Sequence, residues 1–538
     1  KGSVVSDYFS GILSLSDNEY VNSYNFLKRL EGLEEYHYTF SKAYIYSLIN
    51  LNKFNEGYKY SKKLEKKNLD SYESDLIIGI YYLKNKQNKL AKKYFNKLYE
   101  RGRKNPLQNL ISRSLLNWAD VENLDINSAK EKFNFLDANF KNIKYIQNAF
   151  LNCYYNNSET QSTFENLTSN KSIDFSRYNF FYAKYLNSVN KKDYAIKVID
   201  RTLNIYPRNL LLRQLKLDLN FKKKNNFKDN FDCRNISHNL AEIFYIVSNA
   251  LSNQSIPSIS NFYLNIARYL NKNFTSYDIL YAENIHLINN LEKTKDIYLK
   301  IKSKGNIYNW YAAKQISSIL KEQKKKKDAL VFLSNAFNKI TEPSVYEIFD
   351  YALFLKNNEK YEEAIKYYSQ VLNLISKEHN LFAAATDGRG IAFERTGNWE
   401  KAEKDFLSSL SISPNQPYVI NYLAYSWIEK GIKIEQSLEM LKKANNLRKN
   451  DGYIIDSLGW ALFKLKKYIQ AEEYLQQAVI LMPSDPIVND HYGDSLWMRG
   501  RKIQARYYWN YVLNLEDTKN QLKTEIKNKL INGLRINL

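Results

Sequence analysis

Small and apolar positions recur along this chain with a period of 34 residues. The stretch Tyr453 to Phe463 reads as an apolar helical face containing Gly459, and Ala471 follows twelve positions later. One period on, Gly493 and Ala505 occupy the same two places. Two helices approach closely only where both lack bulk, so this spacing predicts one antiparallel helix pair per period.

The register extends backwards through most of the chain. Equivalent first-helix positions hold, in chain order, Gly11, Ile45, Gly79, Asn117, Ala183, Ala282, Ser317, Ala352, Gly390 and Ala424. Residues 141–172 and 208–260 fit poorly, because Asn, Ser and Lys replace the small residues while apolar residues keep helical spacing. The sequence therefore predicts N-terminal units over 1–140, degenerate helical repeats over 141–260, C-terminal units over 261–515, and a capping helix and tail over 516–538.

The pattern resembles the tetratricopeptide repeat. Leu458, Gly459, Ala471, Ala478 and Pro483 match that repeat closely. The resemblance implies an all-α, right-handed superhelical solenoid of stacked antiparallel helix pairs. Beyond the last pair, Leu522, Ile526 and Leu530 lie four residues apart, which predicts a helix that covers the open end of the array.

The chain is basic, with 79 Lys and Arg against 57 Asp and Glu and a net charge of +22. Basicity invites a nucleic-acid interpretation, and a helical-repeat RNA-binding protein is one alternative function. Lys and Asn are spread along the whole chain, which favours compositional drift, and the densest cluster, Lys321 to Lys327, lies at a predicted turn. We therefore expect no specific nucleic-acid partner. A structural subunit of a larger complex is a second alternative.

No group of residues predicts catalysis. The five histidines are scattered, without a spacing that suggests a metal site, and the repeats leave no room for a catalytic domain. We expect a protein that is not an enzyme and has no cofactor. No run of 18 apolar residues predicts a transmembrane segment.

Two sequence features bear on the compartment. Cys153 and Cys233 are the only cysteines, and the sequence favours two buried thiols over a disulfide. The chain begins at Lys1, so a leader peptide is compatible with the sequence. The compartment and the oligomeric state stay open at this stage.

The first helix of each pair is expected to line the concave side of the array. In the last three units, aromatic side chains alternate there with Asn and Asp, which suits an extended peptide. The predicted partner-binding residues are Tyr418, Asn421, Tyr425, Ile428, Tyr453, Asp456, Trp460, Phe463, Asp490, Asp494 and Trp497. Aromatic residues at helical spacing also build cores. For Trp460 and Trp497, partner binding and core packing are therefore equally expected roles.

Some repeat proteins of this kind clamp a C-terminal carboxylate with Lys and Asn on the first inner helices. The equivalent places here hold Asp387, Asn421 and Asp456 among others. The clamp is therefore missing, and the acidic side chains would repel a carboxylate.

Residues 383–515 show a narrower resemblance, carried by runs such as Asp451 to Trp460 and His491 to Trp497. They are similar to the end of long bacterial tetratricopeptide proteins, some of which are outer-membrane lipoprotein adaptors of periplasmic proteases. The resemblance implies a scaffold or adaptor in the bacterial cell envelope, at the periplasm or the outer-membrane periphery. The predicted function is a non-catalytic scaffold that binds partner proteins on its concave face.

Overall fold

The computed structural model describes residues 2–134, 140–169, 174–220 and 229–534, and every regular element in those ranges is a helix. The all-α prediction is therefore confirmed. Internal contacts divide the chain into two compact units, which we call unit 1 (Lys1–Asn338) and unit 2 (Lys339–Leu538). The division into four segments by repeat regularity stays a prediction.

Unit 1 contains nineteen described α-helices, with 3-10 helices at Leu33–Glu35, Val121–Asn123 and Lys302–Lys304. They are α1 (Gly2–Ser16), α2 (Tyr20–Lys28), α3 (Tyr38–Asn50), α4 (Phe54–Lys66), α5 (Tyr72–Lys84), α6 (Asn88–Gly102), α7 (Pro106–Asp120), α8 (Ile126–Asn134), α9 (Lys141–Tyr154), α10 (Thr160–Thr168), α11 (Tyr178–Ser188), α12 (Lys192–Ile205), α13 (Leu210–Asn220), α14 (Ile236–Asn253), α15 (Pro257–Leu270), α16 (Thr275–Leu287), α17 (Leu291–Ile301), α18 (Asn306–Glu322) and α19 (Lys326–Phe337).

Unit 2 consists of five helix pairs and a final helix. They are α20 (Val345–Lys356), α21 (Tyr361–Leu374), α22 (Phe382–Arg395), α23 (Trp399–Ile412), α24 (Pro417–Glu429), α25 (Ile434–Leu447), α26 (Gly452–Lys464), α27 (Tyr468–Leu481), α28 (Pro486–Met498), α29 (Lys502–Asn514) and α30 (Asn520–Asn532). Each helix packs against the next one in the chain, which confirms the predicted stacking of helix pairs.

The small residues lie where the register predicts, at the crossing of the two helices of a pair. A Cβ atom on Gly459 would lie 2.7 Å from Cγ of Leu475, and one on Gly493 would lie 2.6 Å from Nε1 of Trp509. Both distances are shorter than real Cβ contacts, so only glycine lets the second helix bring its large side chain this close. The glycine and the bulky residue sixteen positions later thus form one packing unit.

In unit 1, a helical hairpin departs from simple stacking. The α14–α15 hairpin packs against α3, α5, α7 and α9, helices far from it in sequence. The rings of Tyr46 and Phe262 stack with centroids 4.1 Å apart, and the Lys84 ammonium donates to the Leu270 carbonyl at 2.7 Å. The first helices of unit 1 therefore have their shared surface filled by the same chain.

An ion pair fixes this hairpin. Arg177, at the start of α11, donates from Nε and Nη2 to the two carboxylate oxygens of Glu242 on α14, at 2.7 and 2.9 Å. Glu242 is fully buried, and the guanidinium also lies 4.0 Å from the ring centroid of Tyr245. A bidentate pair in this setting fixes both position and orientation of α14.

Cys153 at the end of α9 and Cys233 just before α14 form a disulfide, with Cα atoms 5.9 Å apart. The expectation of two buried thiols is therefore wrong. Their separation of 80 residues hid the pairing, because the repeat register places only neighbouring units together. The hairpin folds back onto α9, and that return brings the two cysteines within bonding distance.

The predicted capping helix is present as α30. Leu522 and Ile526 are buried against α28 and α29, and Leu530 is partly buried beside them. The last repeat thus has its apolar end covered, as a terminal unit requires.

Candidate protein-binding face

The first helices of the pairs in unit 2 form one continuous surface, which we call the first-helix face. It consists of α20, α22, α24, α26 and α28. Helix α20 contacts α22, and α26 contacts both α24 and α28. The Tyr422 hydroxyl of α24 completes the series by donating to Glu394 of α22 at 2.9 Å.

A row of exposed apolar side chains runs along the first turns of these helices. Tyr418 is 49% exposed, Tyr453 is 56% exposed and Ile487 is 43% exposed. Local signals position them: Asp451 caps α26 and Asp485 caps α28 by accepting from backbone N–H groups of the first turn. The row is at one repeat position in three successive units, so it offers regularly spaced contacts to an extended partner.

Trp460 lies beneath this surface. It is 7% exposed, its indole N–H donates to Glu429 at 2.7 Å, and its ring stacks on His491 with centroids 3.9 Å apart. The ring of Phe463 also stacks on Trp460, with centroids 4.7 Å apart, and is partly buried. Of the two roles left open for Trp460, its surroundings favour packing.

The cap helix covers the last predicted positions. Lys529 of α30 donates to Asp490 at 2.6 Å and to Asp494 at 2.8 Å, and both carboxylates are buried. Trp497 is partly buried against Trp509, with centroids 5.3 Å apart. These two carboxylates are therefore paired within unit 2 by one lysine.

His491 was not among the predicted site residues, yet it is central to the face. Both carboxylate oxygens of Asp456 lie 3.0 Å from its Nδ1. Burial acts to lower the pKa of His491, but Asp456, Asp490 and Asp494 outweigh it and raise that pKa above the usual value. One signal in the sequence was available: His491 lies 35 residues after Asp456, nearly one repeat.

The remaining predicted residues differ in accessibility. Ile428 is buried in the core of unit 2, whereas Asn421 and Tyr425 are half-buried. Partner binding by these eleven side chains stays a prediction. Tyr418 and Tyr453 are the two that the structure leaves most accessible.

Metal binding finds no support in the part of the chain that the structure describes. No three His, Cys, Asp or Glu side chains there gather in a way that could hold a metal ion. Among the same residues, no helix has both the length and the apolar character needed to span a bilayer.

Comparisons with known proteins agree with the helix pairs. The model of the family described as "Tetratricopeptide repeat" matches residues 348–378 and 455–483. The chain is 29% identical over 140 residues to the TPR repeat-containing protein PA4667 of Pseudomonas aeruginosa, covering 26% of this chain and 23% of that protein. It is 28% identical over 134 residues to the cell division cycle protein 16 homolog of Mus musculus, covering 23% and 22%. These matches span less than a quarter of each relative.

Solved structures with a similar fold are small repeat proteins. The protein TTC0263 of Thermus thermophilus, described as a thermophilic TPR protein, has a TM-score of 0.31 at 16% identity, over 35% of this chain and 100% of its own. YrrB, described as a TPR protein with an unusual peptide-binding site, has a TM-score of 0.28 at 16% identity, over 34% and 92%. Similarity at this level carries no argument about function.

The residue pattern, the stacked helix pairs with small residues at their crossings and the two family matches all lead to one conclusion. This chain contains tetratricopeptide repeats, which the family model locates at residues 348–378 and 455–483.

Proposed function

We propose that the protein is a non-catalytic scaffold whose first-helix face in unit 2 binds an extended segment of a partner protein. The observation that carries the proposal is the exposed row of Tyr418, Tyr453 and Ile487 at one position of three successive units. Rigid aromatic side chains on a preformed surface bind with little ordering cost, so a few of them dominate the affinity. Tetratricopeptide repeats commonly serve protein interaction, which supports the same function.

The disulfide supports a setting outside a reducing cytosol. Disulfides persist in oxidising compartments such as the bacterial periplasm. The pair Cys153–Cys233 therefore favours the cell envelope, the location that the resemblance of residues 383–515 implies.

Peptide selection followed by a matched pair of variants tests the binding proposal. Random dodecapeptides displayed on phage are selected on the full chain, and the affinities of the selected peptides are measured for variants. Tyr453→Ala, on the first-helix face, is expected to weaken binding about tenfold or more. Tyr507→Ala removes a tyrosine that is 67% exposed on α29, a second helix, and is expected to change nothing.

Combining Tyr418→Ala with Tyr453→Ala sharpens the result, because both rings lie in one row. Selected peptides that bind this double variant as tightly as the native chain would place the docking surface elsewhere. Circular dichroism of the variants is expected to stay unchanged, since both side chains are about half exposed and Tyr418→Ala removes only one surface hydrogen bond, to Asp451.

A further inference from the structure

One carboxylate on the first-helix face has no partner. Asp387 lies on α22, and no hydrogen bond or ion pair within the described residues reaches its oxygens. Burial raises the pKa of Asp387 to about 6, against the opposing influence of Lys356 on α20. At neutral pH the fold thus holds a half-buried negative charge that Lys356 influences but that no hydrogen bond among the described residues satisfies, which costs stability.

The other carboxylates discussed on this face accept hydrogen bonds, so Asp387 differs from them. Each accepts from a named donor: Glu394 from Tyr422, Glu429 from Trp460, Asp456 from His491, and Asp490 and Asp494 from Lys529. Arg389, two residues along the chain from Asp387, is engaged in a bidentate pair with Asp405. Arg389 is therefore not free to pair with Asp387, on which Lys356 acts without a hydrogen bond or ion pair among the described residues.

Asn421 repeats the feature one unit later. It is 34 residues beyond Asp387, at the same position of the next first helix. Its Oδ1 is buried, and no donor in the described residues approaches it. Two equivalent places on consecutive helices thus present acceptors that lack donors. A buried acceptor of this kind is stabilised when a bound partner brings the missing N–H group.

We propose that the first-helix face of unit 2 selects an extended peptide that carries a lysine or arginine, and that the cationic group of this residue pairs with Asp387. The inference rests on the peptide binding proposed above and names the chemistry of the partner. Asn421 accepts a second donor from the same cation or from the peptide backbone. Tyr418 and Tyr453 contact the apolar residues that follow. An acidic peptide would instead place its charge against Asp387.

Peptide pools with one fixed residue test the charge preference. Each pool consists of decapeptides, acetylated, amidated and carrying a neutral fluorophore, with a central Lys, Arg, norleucine or Glu and uncharged residues elsewhere. Fluorescence anisotropy with the full chain at physiological salt gives the affinity of each pool. The Lys and Arg pools are expected to bind about tenfold more tightly than the norleucine and Glu pools.

Asp387→Asn is expected to remove that preference and leave the affinity of the norleucine pool unchanged. The matched control is Asp517→Asn, an exposed carboxylate in the turn after α29, which is expected to keep the preference intact. Equal binding of the four pools, or a Lys preference that survives Asp387→Asn, overturns the charge assignment while peptide binding stands. Failure of every pool to bind overturns the proposed function as well.

The stability of Asp387→Asn provides an independent readout. Because the carboxylate has no partner, its neutral replacement is expected to raise the denaturation midpoint of unit 2 at pH 7.5, although it weakens binding of the Lys pool. A lowered midpoint would show that Asp387 serves Lys356 within the fold, and would overturn the proposal. Binding of the Lys pool is also expected to weaken several-fold from pH 7.5 to pH 5, as the carboxyl takes up a proton.

Discussion

The two units use the same helix pair but treat its inner surface differently. In unit 1, the α14–α15 hairpin fills the surface formed by the first helices, and buried contacts such as Arg177 with Glu242 hold it there. In unit 2, the first-helix face leaves Tyr418 and Tyr453 about half exposed. The repeat fold thus provides the inner surface in both units. Segments outside the repeat pattern determine whether the chain itself covers that surface.

The net charge also differs between the two units. Residues 1–338 hold 52 basic and 32 acidic side chains, whereas residues 339–538 hold 27 and 25. The basic residues are spread evenly, as expected from the sequence, but most of the net charge lies in unit 1, because unit 2 holds a larger share of acidic residues. Unit 2 is almost neutral, so the unpaired carboxylate of Asp387 is not masked by a general excess of cations.

The largest expected effect comes from releasing the hairpin. Arg177→Ala leaves Glu242 buried without its cation, and we expect unit 1 to lose about 3–5 kcal/mol of unfolding free energy. Hydrogen exchange, followed peptide by peptide, is expected to show faster exchange over residues 236–270 and no change in unit 2. Arg103→Ala is the matched control, since Arg103 pairs with Glu100 on the surface. If both variants behave alike, the buried pair does not hold the hairpin.

Removing the disulfide is expected to have a somewhat smaller effect on the same unit. The bond closes a loop of 80 residues, and replacing both Cys153 and Cys233 with Ala is expected to cost unit 1 about 2–4 kcal/mol. Denaturant titration with and without a reductant measures this on the native chain, while the double variant shows that the reductant acts through this bond. An equal loss of stability in unit 2 would contradict the comparison.

The smallest effect concerns pH and unit 2. The pKa of His491 is raised in the fold, so its stabilising contribution is present at low pH and is lost as pH rises through the folded-state value. The groups facing His491 are Asp456, Asp490, Asp494 and Tyr425, with Lys529 beyond them. Burial also raises the pKa of Asp494 to about 7. Ionisation of this buried carboxyl as pH rises therefore also lowers the stability of unit 2.

We therefore expect the denaturation midpoint of unit 2 to fall between pH 6 and pH 8.5. His491→Gln is expected to flatten part of this dependence, because it removes the titrating ring. A midpoint that rises over this range in the native chain would contradict the assignment of charge around His491.

The helix pairs could be predicted because their contacts are local. Gly459 meets Leu475 within one unit, and the 34-residue register records such contacts directly. The packing of the α14–α15 hairpin could not be predicted, because its contacts join residues far apart in sequence. Tyr46 and Phe262, for example, are separated by more than six periods. The 34-residue periodicity reports contacts within a helix pair and between neighbouring pairs. It carries no information about a hairpin that packs against helices near the start of the chain.

The candidate site could be predicted only in outline. The predicted residues all lie on first helices, yet the exposure of each one depends on partners from other units. Trp460 is covered because His491 arrives from the next pair, and Asp494 is neutralised because Lys529 arrives from the cap. Such pairings depend on side-chain reach across helices, which the register does not specify.

The returning hairpin also bears on how the chain is made. Synthesis proceeds from the N-terminus, so α3 to α9 leave the ribosome long before residues 236–270 exist. Their shared apolar surface must then wait in solvent or be shielded by a chaperone, because its cover has not been translated. In unit 2 each pair meets its neighbour as soon as that neighbour appears. Unit 1 therefore needs non-local contacts that form only after residue 270 has been made, whereas unit 2 is built from contacts between successive pairs.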